Sequence, residues 1–98
     1  MIEHIVLFKA KPDAPPEALE AMLKALAALK NTIPGLLQIS TGVNFSARAQ
    51  GYTHGLVVRF PDRAALDAYQ VHPAHQKAVV KQVRPNVEGV LALDYEFH

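Results

Sequence analysis

The order in which the chain changes its hydrophobic period restricts its fold more than any other feature: period two, then about 3.6, then two twice over, 3.6 again, and finally two. Ile2 to Ala10 reads as a strand, with Ile2, His4, Val6 and Phe8 on one face and Glu3, Ile5, Leu7 and Lys9 on the other. Pro15 and Pro16 suit the start of a helix, where a missing N–H costs nothing. Leu19, Met22, Leu23, Leu26 and Leu29 then repeat at three- and four-residue intervals to about Lys30, a stripe that one helix face buries. Pro34-Gly35 closes that helix.

Leu36 to Asn44 reads as the second strand, with Gly42 marking a bulge or a close backbone approach, and Ser46 to Gly51 as a hairpin loop. Tyr52 to Phe60 is the third strand, in which His54 falls with Leu56, Val58 and Phe60 on the core side. Asp62 caps a short helix from Ala64 to Val71. Pro73 begins another, because the residue before a proline is driven out of the helical region while the proline itself fits a first turn. Gly89 to Phe97 is the last strand, with Val90, Ala92, Asp94 and Glu96 opposed to Leu91, Leu93, Tyr95 and Phe97.

Two right-handed β-α-β crossovers interleaved in this order give an α+β, ferredoxin-like βαββαβ fold: a four-stranded antiparallel sheet with the helices on one face, as a single domain over residues 1–98. The other sheet face is left open. Ile5, Leu7, Val57, Val90 and Ala92 are read as its apolar centre, which predicts that two sheets pack face to face in a homodimer, a dimeric α+β barrel.

Ten Lys and Arg against nine Asp and Glu form no basic stripe, which argues against nucleic acid as a partner. The absence of cysteine excludes disulfides, thiolate catalysis and thiolate metal sites. No apolar run reaches bilayer-spanning length and no secretory leader is evident, so a soluble cytoplasmic protein without a membrane partner is expected.

Chemistry is concentrated in Tyr69-Gln70-Val71-His72-Pro73-Ala74-His75, a phenol and two imidazoles within seven residues. Proton abstraction next to a carbonyl needs a base poised near neutral pH and a donor that steadies the enolate oxygen, and imidazole and phenol suit those roles. His4 and His54 point off strands that neighbour one another in this topology, toward the helices. Taken singly, each is a core histidine with one hydrogen bond; together they argue for a polar-lined cavity. The plain account of Tyr69 is an aromatic packed on the sheet, and that of His72 a brace for the turn before Pro73. A metal held by His72, His75 and His4 or His54 ranks below a metal-free pocket, since Pro73 disturbs the helical face that would align the pair.

Over nearly its whole length the chain resembles the stress-responsive α/β-barrel (Dabb) domain family. The resemblance is carried by His4-Ile5-Val6-Leu7-Phe8-Lys9, Gly42-Val43-Asn44 with Ser46, Gly51-Tyr52-Thr53-His54, and Tyr69 followed by His72-Pro73-Ala74-His75. It implies a dimeric ferredoxin-like barrel. A plant polyketide cyclase of that family performs a cofactor-free aldol-type ring closure, and likeness to it implies His75 as general base, aided by Tyr69. His4, His54 and His72 would then contact the substrate, a small apolar or carbonyl-containing compound, with no metal and no cofactor. The alternative is a non-catalytic dimeric stress or ligand-binding protein.

Overall fold

The computed structural model describes residues 1–98. Strand β1 (Ile2–Ala10) leads into helix α1 (Pro16–Ala27), which tightens into a 3-10 turn over Ala28–Asn31. Strands β2 (Gln38–Val43) and β3 (His54–Phe60) follow, then helices α2 (Arg63–Val71) and α3 (Pro73–Ala78), a π-helical turn over Val79–Val83, and strand β4 (Val87–Glu96). The strands form one antiparallel sheet in the order β2-β3-β1-β4. This is the ferredoxin-like arrangement expected from the pattern. Asp62 caps α2 by accepting from the Ala65 N–H at 2.9 Å.

The core lies between the sheet and the helices. Met22 and Leu26 of α1, with Leu29 and Ile33 beyond it, pack against Ile2, Val6 and Phe8 of β1 and Leu56, Val58 and Phe60 of β3. Burying each such side chain contributes about 1.5–3 kcal/mol. On the opposite side, β1 and β3 present Ile5, Leu7 and Val57, with a Glu3–Arg59 ion pair at one end (3.0 Å).

Two expectations are corrected. In the register, Val90 pairs with Phe8 and Ala92 with Val6, whereas Leu91, Leu93 and Tyr95 pair with Leu7, Ile5 and Glu3. Directly paired residues point to the same side of a sheet, so Val90 and Ala92 face the helices, and the open face takes Leu91, Leu93 and Tyr95 instead. Both faces of this strand are apolar at the centre, so alternation alone does not say which is which. Nor is Gly42 a bulge or a point of close approach. It pairs regularly with Gly55 and a Cβ there would meet nothing within 4 Å, while the one shift of register falls at Lys9/Ala10.

Candidate functional site

Tyr69 lies in the last turn of α2 and is fully buried; the proline after His72 then redirects the chain into α3 and turns His75 back toward the same space. The Tyr69 and His75 rings lie 4.5 Å apart, centroid to centroid. From below, β1 supplies His4, whose ring meets Tyr69 edge-on at 6.1 Å. These three residues, with Gln70, line a cavity of about 220 Å³ whose other walls are apolar: Val6 and Phe8 of β1, Leu26 of α1, Leu56 of β3, Val79 and Val83 of the π-helical turn, and Val90 and Ala92 of β4. Val90 is 56% exposed, so the cavity opens to solvent along β4. A cavity of about 150 Å³ already accommodates benzene, so a single ring or a short chain is the scale of ligand that fits.

Two buried side-chain polar atoms have no hydrogen-bond partner in the protein, the Tyr69 hydroxyl and His75 Nδ1. The residues that carry them both line this cavity. Burial pushes the phenol up to about 12, so it stays protonated and able to donate at neutral pH. Burial lowers the His75 pKa, with a smaller contribution from the neighbouring His4, while the Gln70 backbone carbonyl opposes the shift. The imidazole is therefore a neutral base near pH 7. His4 is anchored through Nδ1 to the Asp94 carboxylate of the paired strand β4, which fixes its ring orientation.

The other two histidines lie elsewhere. His54 shares the sheet face of His4 but pairs with Phe8, four positions further along β1, and does not line the cavity. Its Nδ1 lies 2.7 Å from the Thr53 hydroxyl, which also lies 3.3 Å from the Phe8 carbonyl and accepts from the Ala10 N–H. With the hydroxyl proton directed at Phe8, the His54 Nδ1–H is the donor and this nitrogen is satisfied. Burial lowers its pKa as well. His72 caps α3, its Nδ1 accepting from the Ala74 N–H at 3.0 Å. No group of three or more His, Asp or Glu side chains is gathered closely enough to hold a metal ion.

Residues 2–97 match the model of the stress responsive A/B barrel domain, Dabb. The chain belongs to this family. It is 35% identical over 97% of its length to a stress-response A/B barrel domain-containing protein of Arabidopsis thaliana, of which it spans only 36%. Olivetolic acid cyclase of Cannabis sativa is 29% identical over 76% of the chain and 75% of its own length. Among solved structures, protein At3g17210 of Arabidopsis thaliana aligns with a TM-score of 0.90 at 29% identity, covering all of this chain and 96% of that one. A dimeric ferredoxin-like protein from Thermobifida fusca aligns at 0.85 and 27% identity, over 98% of this chain and 90% of that one. The hydroxynitrile lyase of Passiflora edulis, at 0.88 but 21% identity over 99% and 93%, shares the fold.

In this Dabb chain, then, the tertiary structure assembles His4, Tyr69 and His75 and keeps His54 and His72 apart from them. Sequence reasoning missed Asp94, Gln70, Val90 and Ala92 as neighbours of the cavity. Asp94 does alternate with Val90 and Ala92, but only the β1–β4 register puts it beside His4.

Proposed function

We propose that this protein acts as a homodimer that holds a small, largely apolar carbonyl compound in the His4–Tyr69–His75 cavity and moves a proton on it without a cofactor. His75 takes the proton next to the carbonyl, and the Tyr69 hydroxyl donates to the oxygen on which enolate charge develops. The observation that carries this reading is the pair of partnerless buried atoms, Tyr69 Oη and His75 Nδ1, on two residues that line one apolar cavity. Their pKa values are pushed apart in the useful directions, a base left neutral and a phenol kept protonated. The likeness to olivetolic acid cyclase supports a ring-closing carbon–carbon reaction, and the dimeric state of the similar Thermobifida fusca protein supports the homodimer.

The test is turnover of a panel of short β-keto thioesters by wild type and His75→Ala, each shown by light scattering to have the mass of two chains. Turnover in wild type that is lost in the variant is the expected result. Equal turnover in both, or none in either, overturns the enzymatic reading. One feature favours the alternative of a non-catalytic binding protein: apart from His4, Tyr69, Gln70 and His75, every residue lining the cavity is apolar. A binder would hold the same thioesters unchanged.

A further inference from the structure

We infer that a hollow at Gly42 and Gly55, on the open face of the sheet, is the socket for Leu91 and Leu7 of the second copy, and that this fit keys how the two chains pair. This rests on the homodimer proposed above and adds the residues that select the partner. Gly42 pairs with Gly55, Gly55 with Leu7 and Leu7 with Leu91. One row of the open face therefore runs from two residues without side chains to two leucines. The hollow has a volume of about 400 Å³ and is bordered by Ser40, Val57 and Ile5. At the other side of the face, Leu91, Leu93 and Tyr95 of β4 form a ridge that is about half exposed.

Nothing inside the chain calls for either glycine. Neither has a positive φ. A Cβ would meet no atom within 4 Å at Gly42, and at Gly55 only Leu7 Cδ2 and the Val6 carbonyl, at 3.8 and 3.9 Å, which are ordinary contacts. Glycine inside a strand loses conformational freedom and has no side chain to pack, so the room it leaves serves a neighbour from outside the chain.

Two open faces can be stacked in two ways under a two-fold axis that lies between them. An axis along the strands keeps each residue at its own height and exchanges the edges of the order β2-β3-β1-β4. It sets the partner's Leu91 over Gly42, the partner's Leu7 over Gly55 and the partner's Glu3 over Arg59, so the ridge of each copy enters the trough of the other. The Glu3–Arg59 pairs, 3.0 Å within each chain, then alternate in sign across the interface. An axis across the strands lays β4 on β4 with its ends exchanged. Leu91 then stands over the partner's Tyr95 and Leu7 over the partner's Glu3: ridge meets ridge, a carboxylate is covered by a leucine, and no leucine reaches the glycines. Shape and charge both select the first.

The chain has no cysteine, so introduced thiols report the placement directly. With a short bis-maleimide, Gly42→Cys/Leu91→Cys is expected to give a covalent dimer and Leu91→Cys/Tyr95→Cys none; within one chain Gly42 and Leu91 lie on opposite edge strands and cannot be bridged. Cross-linking of the second pair, or of neither, overturns this inference and leaves the homodimer standing. A wild-type mass of one chain by light scattering overturns both. As a second measurement, Gly42→Leu fills the socket and is expected to raise the dimer dissociation constant about tenfold or more. Adding Leu91→Ala is expected to restore it. An unchanged constant in the single variant, or a raised one that the second substitution leaves where it was, counts against the socket.

Discussion

His54 and His75 are both buried imidazoles whose pKa is lowered chiefly by that burial, yet their surroundings differ in one respect. His54 is hydrogen bonded to Thr53, which is itself tied to the β1 backbone. His75 has a buried Nδ1 with no protein partner, next to a phenol in the same condition. Leaving a buried polar group unpaired costs about 1–3 kcal/mol, so two such atoms on neighbouring rings call for a partner that the protein itself does not supply. The contrast therefore separates a histidine that stabilises the sheet from one that is open to chemistry, although both stand in a protein interior.

Four measurements test this contrast. The largest effect is expected from His75→Ala, which should lower turnover of the active thioester by about 10²–10⁴-fold while shifting the denaturant midpoint little. A stability loss comparable to that of His54→Ala would make the two histidines equivalent and remove the distinction. Next is Tyr69→Phe, which keeps the packed ring and deletes the unpaired hydroxyl: a fall in turnover of about 10²–10³-fold is expected, with stability unchanged or raised. Lower stability would mean that the hydroxyl has a structural partner.

His54→Ala should do the reverse of His75→Ala. It leaves the Thr53 hydroxyl short of a donor and opens space under Phe8, so a loss of about 1–3 kcal/mol by urea denaturation is expected with turnover intact. The smallest effect concerns pH. Both imidazoles start from an ordinary value of 6.5 and are lowered in the folded state. Above 6.5 neither state carries the proton; below it the unfolded chain takes up protons first, so stability falls as pH drops from 6.5 toward the depressed folded values and levels off beneath them. Denaturant midpoints from about pH 8 to about pH 5 should show this slope, and His54→Ala should flatten part of it. An unchanged slope would remove His54 from the account.

Much of this was legible in the chain itself. The succession of periods named every strand and helix, because a side-chain repeat of two or of about 3.6 is a local consequence of backbone geometry. Pro73 foretold the corner between α2 and α3, since its ring restricts the residue before it. His4 and His54 were correctly placed on the helix side, for the same local reason. Which of them meets Tyr69 was not legible: they stand on neighbouring strands, and the β1–β3 register sets them four positions apart.

The sequence by itself determined the elements, their order and hence the sheet topology, because period, proline and capping act over a few neighbouring residues. Tertiary structure decided what depends on register and closure. Val90 and Ala92 went to the helix side although their strand is apolar on both faces, and Asp94 met His4 across ninety residues of chain. His72 was drawn to the N–H of Ala74 rather than to the cavity. The Tyr69 hydroxyl and His75 Nδ1 were left without partners on two rings that lie side by side, a fact that belongs to the packed interior and to no stretch of sequence.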